Sequence, residues 1–266
     1  MQKYTIRPIN TGFVCNSPKQ YHFHPSTHKF HPELSDGCEL YPVFCFLLQG
    51  EGKNILVDTG MCDGERAGKY HHPGSRQEPG QKIYEQLEKL NIPCEDIDGI
   101  ILTHLHWDHC YYLDRFVNAR IIVSKKELEF AENPIPLYYK SYEYPVLGIK
   151  SPFADLALET CEGETEVFPG VTVFETPGHS PGHISVEVET NNGKYIIGGD
   201  SAFRLANFQE IPEIHYTVTP PGRFYNIVES WKSLELIKKR AESLDKILLT
   251  HESGLLDIIK KEPVIG

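Results

Sequence analysis

No stretch of this sequence approaches the ~20 consecutive apolar residues that a bilayer-spanning helix requires, which excludes that class of membrane protein. Met1 to Asn10 sets Lys3 and Arg7 within an apolar-polar alternation and lacks the apolar core of a secretory signal, so export by that route is not expected. Basic clusters are scarce as well. The largest is Lys238-Lys239-Arg240, and 26 Lys and Arg stand against 37 Asp and Glu, for a net charge of -11. Such a chain repels phosphate backbones, which argues against nucleic acid as a partner. There is no C-x-x-C pair. The seven cysteines at 15, 38, 45, 62, 94, 110 and 161 are odd in number and scattered. That is the pattern of reduced, mostly buried thiols in a cytoplasmic protein, and it suits neither a disulfide framework nor a zinc ribbon. No linker-like break divides the 266 residues, so one domain over 1–266 is expected.

With 40% hydrophobic and 24% charged residues, the chain can bury an ordinary globular core. Apolar runs separated by short turns predict strands at 43–48, 55–58, 100–103, 120–124, 171–175, 184–188, 195–197 and 247–249. Gln49 to Asn54 joins the first pair as a hairpin, and Asn191-Asn192-Gly193 marks a second tight turn. Helical periodicity covers Gln81 to Leu90, with Ile83, Leu87 and Leu90 on one face, and Asn226 to Ala241, with Ile227, Trp231 and Leu234 aligned; Lys125 to Glu132 is shorter. Lys238-Lys239-Arg240 falls in the last turn of the second helix, where cations complement the dipole, and needs no ligand to explain it. Two sheet-plus-helix halves packed sheet against sheet account for this order. Three stretches fit no period: Tyr21 to Cys38, Pro134 to Phe153 and Phe203 to Tyr225. Their aromatic content predicts ordered walls of a cleft.

Histidine is the abundant oddity, with 13 copies. Thr103-His104-Leu105-His106-Trp107-Asp108-His109 directly follows the apolar run Ile100 to Leu102. Three imidazoles and a carboxylate crowded at a strand end have little reason to be core or solvated face, and are suited to a divalent metal. The same arrangement recurs at Thr176-Pro177-Gly178-His179, Gly198-Gly199-Asp200 and Thr250-His251, each just beyond a strand. One edge of the sandwich would collect them all. A His-rich tract alone is a weak metal signal, so His22, His24, His28, His31, His71 and His72 read as solvated loop residues.

The H-x-H-x-D-H block, the Pro-Gly-His, Gly-Asp and late His that follow it, and Leu56-Val57-Asp58-Thr59-Gly60 upstream together resemble the metallo-β-lactamase-fold hydrolase superfamily, in the expected order over residues 43–251. The resemblance implies an α+β fold, an αββα sandwich of two mixed sheets flanked by helices, with a dinuclear metal site at one edge. Carried over position by position, it assigns His104, His106 and His179 to one ion, Asp108, His109 and His251 to the other, and Asp200 to both. The ions would be zinc first, with iron, manganese or cobalt suited to the same ligands. Asp58 either orients a ligand imidazole or caps its turn; His183 is expected to pack behind the ligands.

Within the superfamily, His rather than Glu at 106 departs from the flavodiiron oxidoreductases, Asp200 departs from the true β-lactamases, and the acidic surface departs from RNA-processing members. Length, the irregular N-terminal segment and the spacing from Asp108 to His251 are similar to the N-acyl-homoserine lactonases, the quorum-quenching group. That resemblance implies a small ester or lactone substrate, attack of a metal-bridging hydroxide on its carbonyl, and Asp108 passing a proton to the leaving alkoxide. One departure stands out. Those lactonases carry a Tyr three residues after the bridging Asp, where this chain has Phe203. Either another tyrosine substitutes, Tyr138, Tyr139 or Tyr216 being candidates for the cleft, or the substrate differs. The alternatives are a thioesterase of the glyoxalase II type, disfavoured because Leu255 to Gly266 holds only Lys260 and Lys261, and a metal-binding module without turnover. The sequence leaves a homodimer open.

Overall fold

The computed structural model describes residues 3–266. Two sheets form because the apolar residues of the strands alternate between two buried faces. The first has the order β1 (Thr5–Asn16), β2 (Glu39–Gly50), β3 (Lys53–Val57), β4 (Gly99–Leu102), β5 (Arg120–Ser124), β6 (Leu158–Cys161). The second runs β11 (Ile247–Leu249), β10 (Gly193–Gly199), β9 (Ile184–Thr190), β8 (Val171–Glu175), β7 (Thr165–Phe168). Both are mixed: β1, β2 and β3 pair antiparallel while β3 to β6 run parallel. In the second sheet β11 is parallel to β10 and the other pairs are antiparallel.

Phe44, Phe46 and Leu48 of β2 point between the sheets and meet Val171, Val173, Val186 and Val188 of β8 and β9. Their neighbours Cys45 and Leu47 point outward, as a period of two requires. The helices close the outer faces. After the single turns α1 (Pro18–Tyr21) and α2 (Gly64–Arg66), α3 (Ile83–Lys89) seats Ile83 and Leu87 on Leu56, Ile100 and Leu102, with α4 (Lys125–Glu132) alongside. On the other sheet α5 (Ile227–Arg240) buries Leu234 and Ile237 against Phe174, Ile196 and Leu249. The result is the expected helix, sheet, sheet, helix layering.

Several predicted bounds shift. The first hairpin turn is only Glu51-Gly52, because Gly50 pairs with Lys53. β1, β6, β7 and the late helix α6 (Leu255–Lys261) were not anticipated. β1 begins with the alternation seen over Met1 to Asn10 and loses it at an irregularity in register between Asn10 and Phe13. β6 and β7 are four-residue strands with mostly polar faces. The thiols are all free, yet only Cys45, Cys62 and Cys110 are buried, and Cys38 is exposed.

Candidate metal centre

β8, β10 and β11 run in one direction, so their C-terminal ends share an edge of the second sheet. β4 delivers the turn His104 to His109 there from the first. That turn is held by backbone hydrogen bonds, one internal and one to the Pro134 to Phe153 stretch: His109 N–H donates to His106 O (3.0 Å) and Trp107 N–H to Ser141 O (2.9 Å). His104, His106, His109, His179, Asp200 and His251 are all buried, and Asp108 is half-buried.

Their ligating atoms fall into three groups, each within 4.8 Å: His104 with His106 and His179, His104 with His109 and Asp200, and Asp108 with His109 and His251. Asp200 bridges the two outer groups by proximity, its Oδ1 3.3 Å from His251 Nε2 and 3.4 Å from His109 Nε2, its Oδ2 3.5 Å from His179 Nε2. Nε2 of His104 and His109 and Oδ1 of Asp200 are buried without a hydrogen-bond partner, and beside them Nδ1 of His106 faces Nε2 of His179 at 3.0 Å. Buried polar atoms are seldom left so, and several converging on one space fit divalent cations.

The electrostatics split the imidazoles. Burial, reinforced by neighbouring histidines, pushes His104 and His106 far below the ordinary imidazole range. Burial likewise takes His179 down to about 4. These rings are neutral and keep a lone pair for a metal. Burial acts the same way on His109 and His251, but Asp200, with Asp58 and Asp108 on His109 and Asp108 on His251, outweighs it and raises both. Asp200 is held well below the carboxylate range by His251 and His109 against the cost of its burial.

Other groups fix the rings. His109 Nδ1–H donates to Asp58 Oδ2 at 2.8 Å, and Asp58 also accepts from Thr103 N–H and Oγ1–H, both at 2.8 Å. His251 Nδ1–H donates to Pro42 O at 2.8 Å. His183 has both ring nitrogens engaged, Nδ1 with Thr176 Oγ1 (2.9 Å) and Nε2 accepting from Asp200 N–H (3.1 Å). It lies behind Asp200 with no nitrogen free to ligate.

Sequence reasoning missed Glu127. Its buried carboxylate accepts from Leu105 N–H (3.1 Å) and Tyr142 Oη–H (2.9 Å) on one oxygen, and from Ser180 Oγ–H (2.6 Å) and Gly182 N–H (3.1 Å) on the other. It therefore ties the His104-His109 turn to the His179 turn. Gly182 is required here, since a Cβ would overlap the Glu127 backbone. Burial raises the Glu127 carboxyl, and its donors work against that rise. A second buried carboxylate, Glu143, accepts from Arg66 (2.8 and 2.9 Å), His71 (2.8 Å) and Tyr111 (2.7 Å), and His71 stacks on Trp107 at 4.0 Å.

A narrow cavity of about 60 Å³ opens onto the cluster, lined by His106, Asp108, His179, Asp200 and His251 with Tyr21, His72, Trp107, Phe203 and Arg223 among its walls. All three irregular stretches reach it, through Tyr21, Ser141, Phe203 and Arg223. A larger open groove of about 880 Å³ beside Tyr84, Asn91 and Arg115 contains none of these groups. Tyr138, Tyr139 and Tyr216 do not line the cavity: Tyr138 packs on Phe130 and bonds Phe224 O, Tyr139 stacks on Tyr144, and Tyr216 packs on Trp231. The phenol that does reach it is Tyr21. The expectation of solvated histidines fails for His22, buried between Tyr41 and Phe203, for His71, bonded to Glu143, and for His72, which lines the cavity. Aromatic walls supplied by the loops draw these rings in.

Residues 39–239 match the family described as the Metallo-beta-lactamase superfamily. An N-acyl homoserine lactonase of Bacillus thuringiensis is 35% identical over 208 residues, covering 74% of this chain and 77% of that protein. The N-acyl homoserine lactonase AttM of Rhizobium radiobacter is 26% identical over 236 residues, 84% of this chain and 86% of its own. Among solved structures, a B. thuringiensis AiiA mutant with N-decanoyl-L-homoserine bound at the active site is similar at a TM-score of 0.75 and 25% identity, covering 97% of both chains. AidC, a dizinc quorum-quenching lactonase, shares the fold at a TM-score of 0.66 and 19% identity, over 95% of this chain and 89% of its own.

Proposed function

The chain belongs to the metallo-beta-lactamase superfamily, and from that premise we propose that it is a metal-dependent hydrolase opening the lactone ring of N-acyl homoserine lactones or similar esters. The observation that carries this reading is the set of orphaned buried nitrogen and carboxylate atoms in groups joined through Asp200. His104, His106 and His179 would hold one divalent ion, Asp108, His109 and His251 the other, and Asp200 both. Zinc is the first choice, because nitrogen-rich ligand sets with a few carboxylates suit it. When bound, two such ions supply Lewis acidity toward a carbonyl and a water acidified toward neutrality.

The chain's own residues do the rest. Asp58, the Pro42 carbonyl and Thr103 fix the orientation of His109, His251 and His104, as metal-binding imidazoles require. Asp108, less buried than Asp200 and on the cavity wall, carries a proton to the leaving alkoxide as the ring opens. Trp107 and Phe203 present apolar surface to the cavity and limit water there. Leu255 to Gly266 carries only Lys260, paired with Asp257 at 2.9 Å, and Lys261, a poor match to the basic segment that a glyoxalase II-type thioesterase brings. A shared core between the sheets supports a single domain over 1–266, and seven free thiols support a reducing, cytoplasmic setting. Among the described residues no helix is long and apolar enough to cross a membrane.

The decisive test is a turnover screen of the metal-loaded protein across lactones, thioesters, phosphodiesters and β-lactams, with metal analysis of the same sample. Lactone opening with close to two ions per chain is expected. His106→Ala combined with His109→Ala abolishes it while the far-ultraviolet dichroism persists. Preferred turnover of a thioester, or one ion or none per chain, would overturn the reading.

A further inference from the structure

The cavity wall carries one charge that neither the ligand set nor the fold accounts for. Arg223 lines the same space as His106, His179 and Asp200. Its positive charge bears on His106 and His179 from the wall, and on Tyr21 and Tyr138 beside it. The guanidinium lies over the Tyr138 ring, 5.7 Å from its centre. Among the described residues it has no carboxylate partner, whereas Arg66, Arg120, Arg204 and Arg240 each do. No hydrogen bond to an acceptor engages it either.

Its position is built from both sides. Gly222 N–H donates to Tyr21 O (2.9 Å), and His24 N–H donates to Pro220 O (2.9 Å). Gly222 is seated so closely on Gln20 that a Cβ would overlap the Gln20 carbonyl. On the other side Tyr225 N–H (2.6 Å) and Asn226 N–H (3.0 Å) both donate to Gly178 O, one residue before His179. Arg223 is thereby tethered between the Tyr21 segment and a ligand turn, and is no freely moving surface arginine.

Two dications held by two carboxylates leave a positive centre, and an unpaired guanidinium facing it raises the energy of both unless a negative group comes between. A neutral lactone brings no such group. A carboxylate does, and the guanidinium fork matches it through two parallel hydrogen bonds. Phe203, with no hydroxyl, adds no competing donor beside it. We propose that Arg223 binds a carboxylate carried by the substrate, so that the enzyme opens acidic lactones in preference to neutral ones. This inference rests on the lactone-hydrolase reading and specifies its substrate class.

The test compares γ-butyrolactone with the same ring bearing a carboxylate on its γ carbon. Each takes up one water as its acyl C–O bond breaks, giving 4-hydroxybutyrate and 2-hydroxyglutarate respectively. The metal-loaded full chain should favour the acidic ring by about tenfold in kcat/KM, carried by KM, the scale of one charge-assisted pair. Arg223→Gln should bring that ratio to about one, Arg223→Lys should keep part of it, and Arg223→Glu should invert it. Calorimetry supplies a readout apart from turnover: metal-free protein, which leaves both rings closed, should bind the acidic lactone about tenfold more tightly than γ-butyrolactone, and Arg223→Gln should remove the difference. Equal affinities, or a preference that survives Arg223→Gln, would overturn the proposal. So would an equal fall in kcat on both rings in Arg223→Gln, which would make the guanidinium a donor to the ring carbonyl. If neither ring is turned over while the Arg223-dependent binding difference persists, the carboxylate site stands and the lactone reading falls.

Discussion

Glu127 is the residue on which the cluster most depends without touching it. Removing its carboxylate in Glu127→Ala strands the Leu105 and Gly182 amides in the interior, at about 1–3 kcal/mol for each buried group left unmade. A loss of about 3 kcal/mol or more is expected in urea unfolding, and a change under about 0.5 kcal/mol, the scale of ordinary surface substitutions, would show the clamp to be idle. Asp58→Ala acts more narrowly. It frees His109 Nδ1, and metal affinity measured by competition with a chelator should fall about 10- to 100-fold while the fold survives. At this scale the sequence was legible where chemistry is local. Each proposed ligand sits within a few residues of a strand end, so strand prediction places it. Glu127 and Arg223 were not legible, because nothing in Lys125 to Glu132 says which face meets Leu105, and nothing in Phe203 to Tyr225 says that Gly222 seats on Gln20.

Among elements, β5, β8, β11 and α4 have the bounds that their apolar patterns predict, since each is a continuous run ended by a turn or a break in period. β6 and β7 escaped notice because edge strands need only one apolar side, and four residues of mixed polarity carry no periodic signal. The contact between α4 and the Ser180-Gly182 turn also belongs to this scale. Gly182→Ala pushes the turn off the helix, with an expected cost of about 1–3 kcal/mol. The exposed Gly37→Ala, whose nearest neighbour would be the Ser35 hydroxyl at 3.4 Å, should stay within about 0.5 kcal/mol. Thermal unfolding of the two variants side by side checks this, and equal melting temperatures would refute the close approach.

For the whole molecule, the buried neutral imidazoles set the response to acid. Burial pushes His22 and His183 down to about 3. Unfolded imidazoles take up protons below about 6.5 whereas these do not until about 3, so the stability is intact above that upper value and is lost as pH falls between the two. Each contributes a slope of up to about 1.4 kcal/mol per pH unit in that window. His22→Phe, which also removes the unpartnered Nε2, should make acid unfolding of the chelated protein shallower by that amount; an unchanged slope would contradict it. The net charge of -11 argues against phosphate backbones when read along the chain. Folding nonetheless sets Arg223, without a carboxylate partner among the described residues, on the wall of the cavity beside the cluster, which no composition could reveal.

The Glu127 clamp bears finally on time. It joins a turn of one sheet to a turn of the other through protein hydrogen bonds alone, so the ligands stand assembled before an ion arrives. Metal uptake is then governed by encounter and desolvation of the ion, with no wait for the backbone. Stopped-flow reconstitution of chelated protein should proceed in a single fast phase whose rate scales with metal concentration. Glu127→Ala should add a slower phase that does not scale with it, as the two turns search for one another.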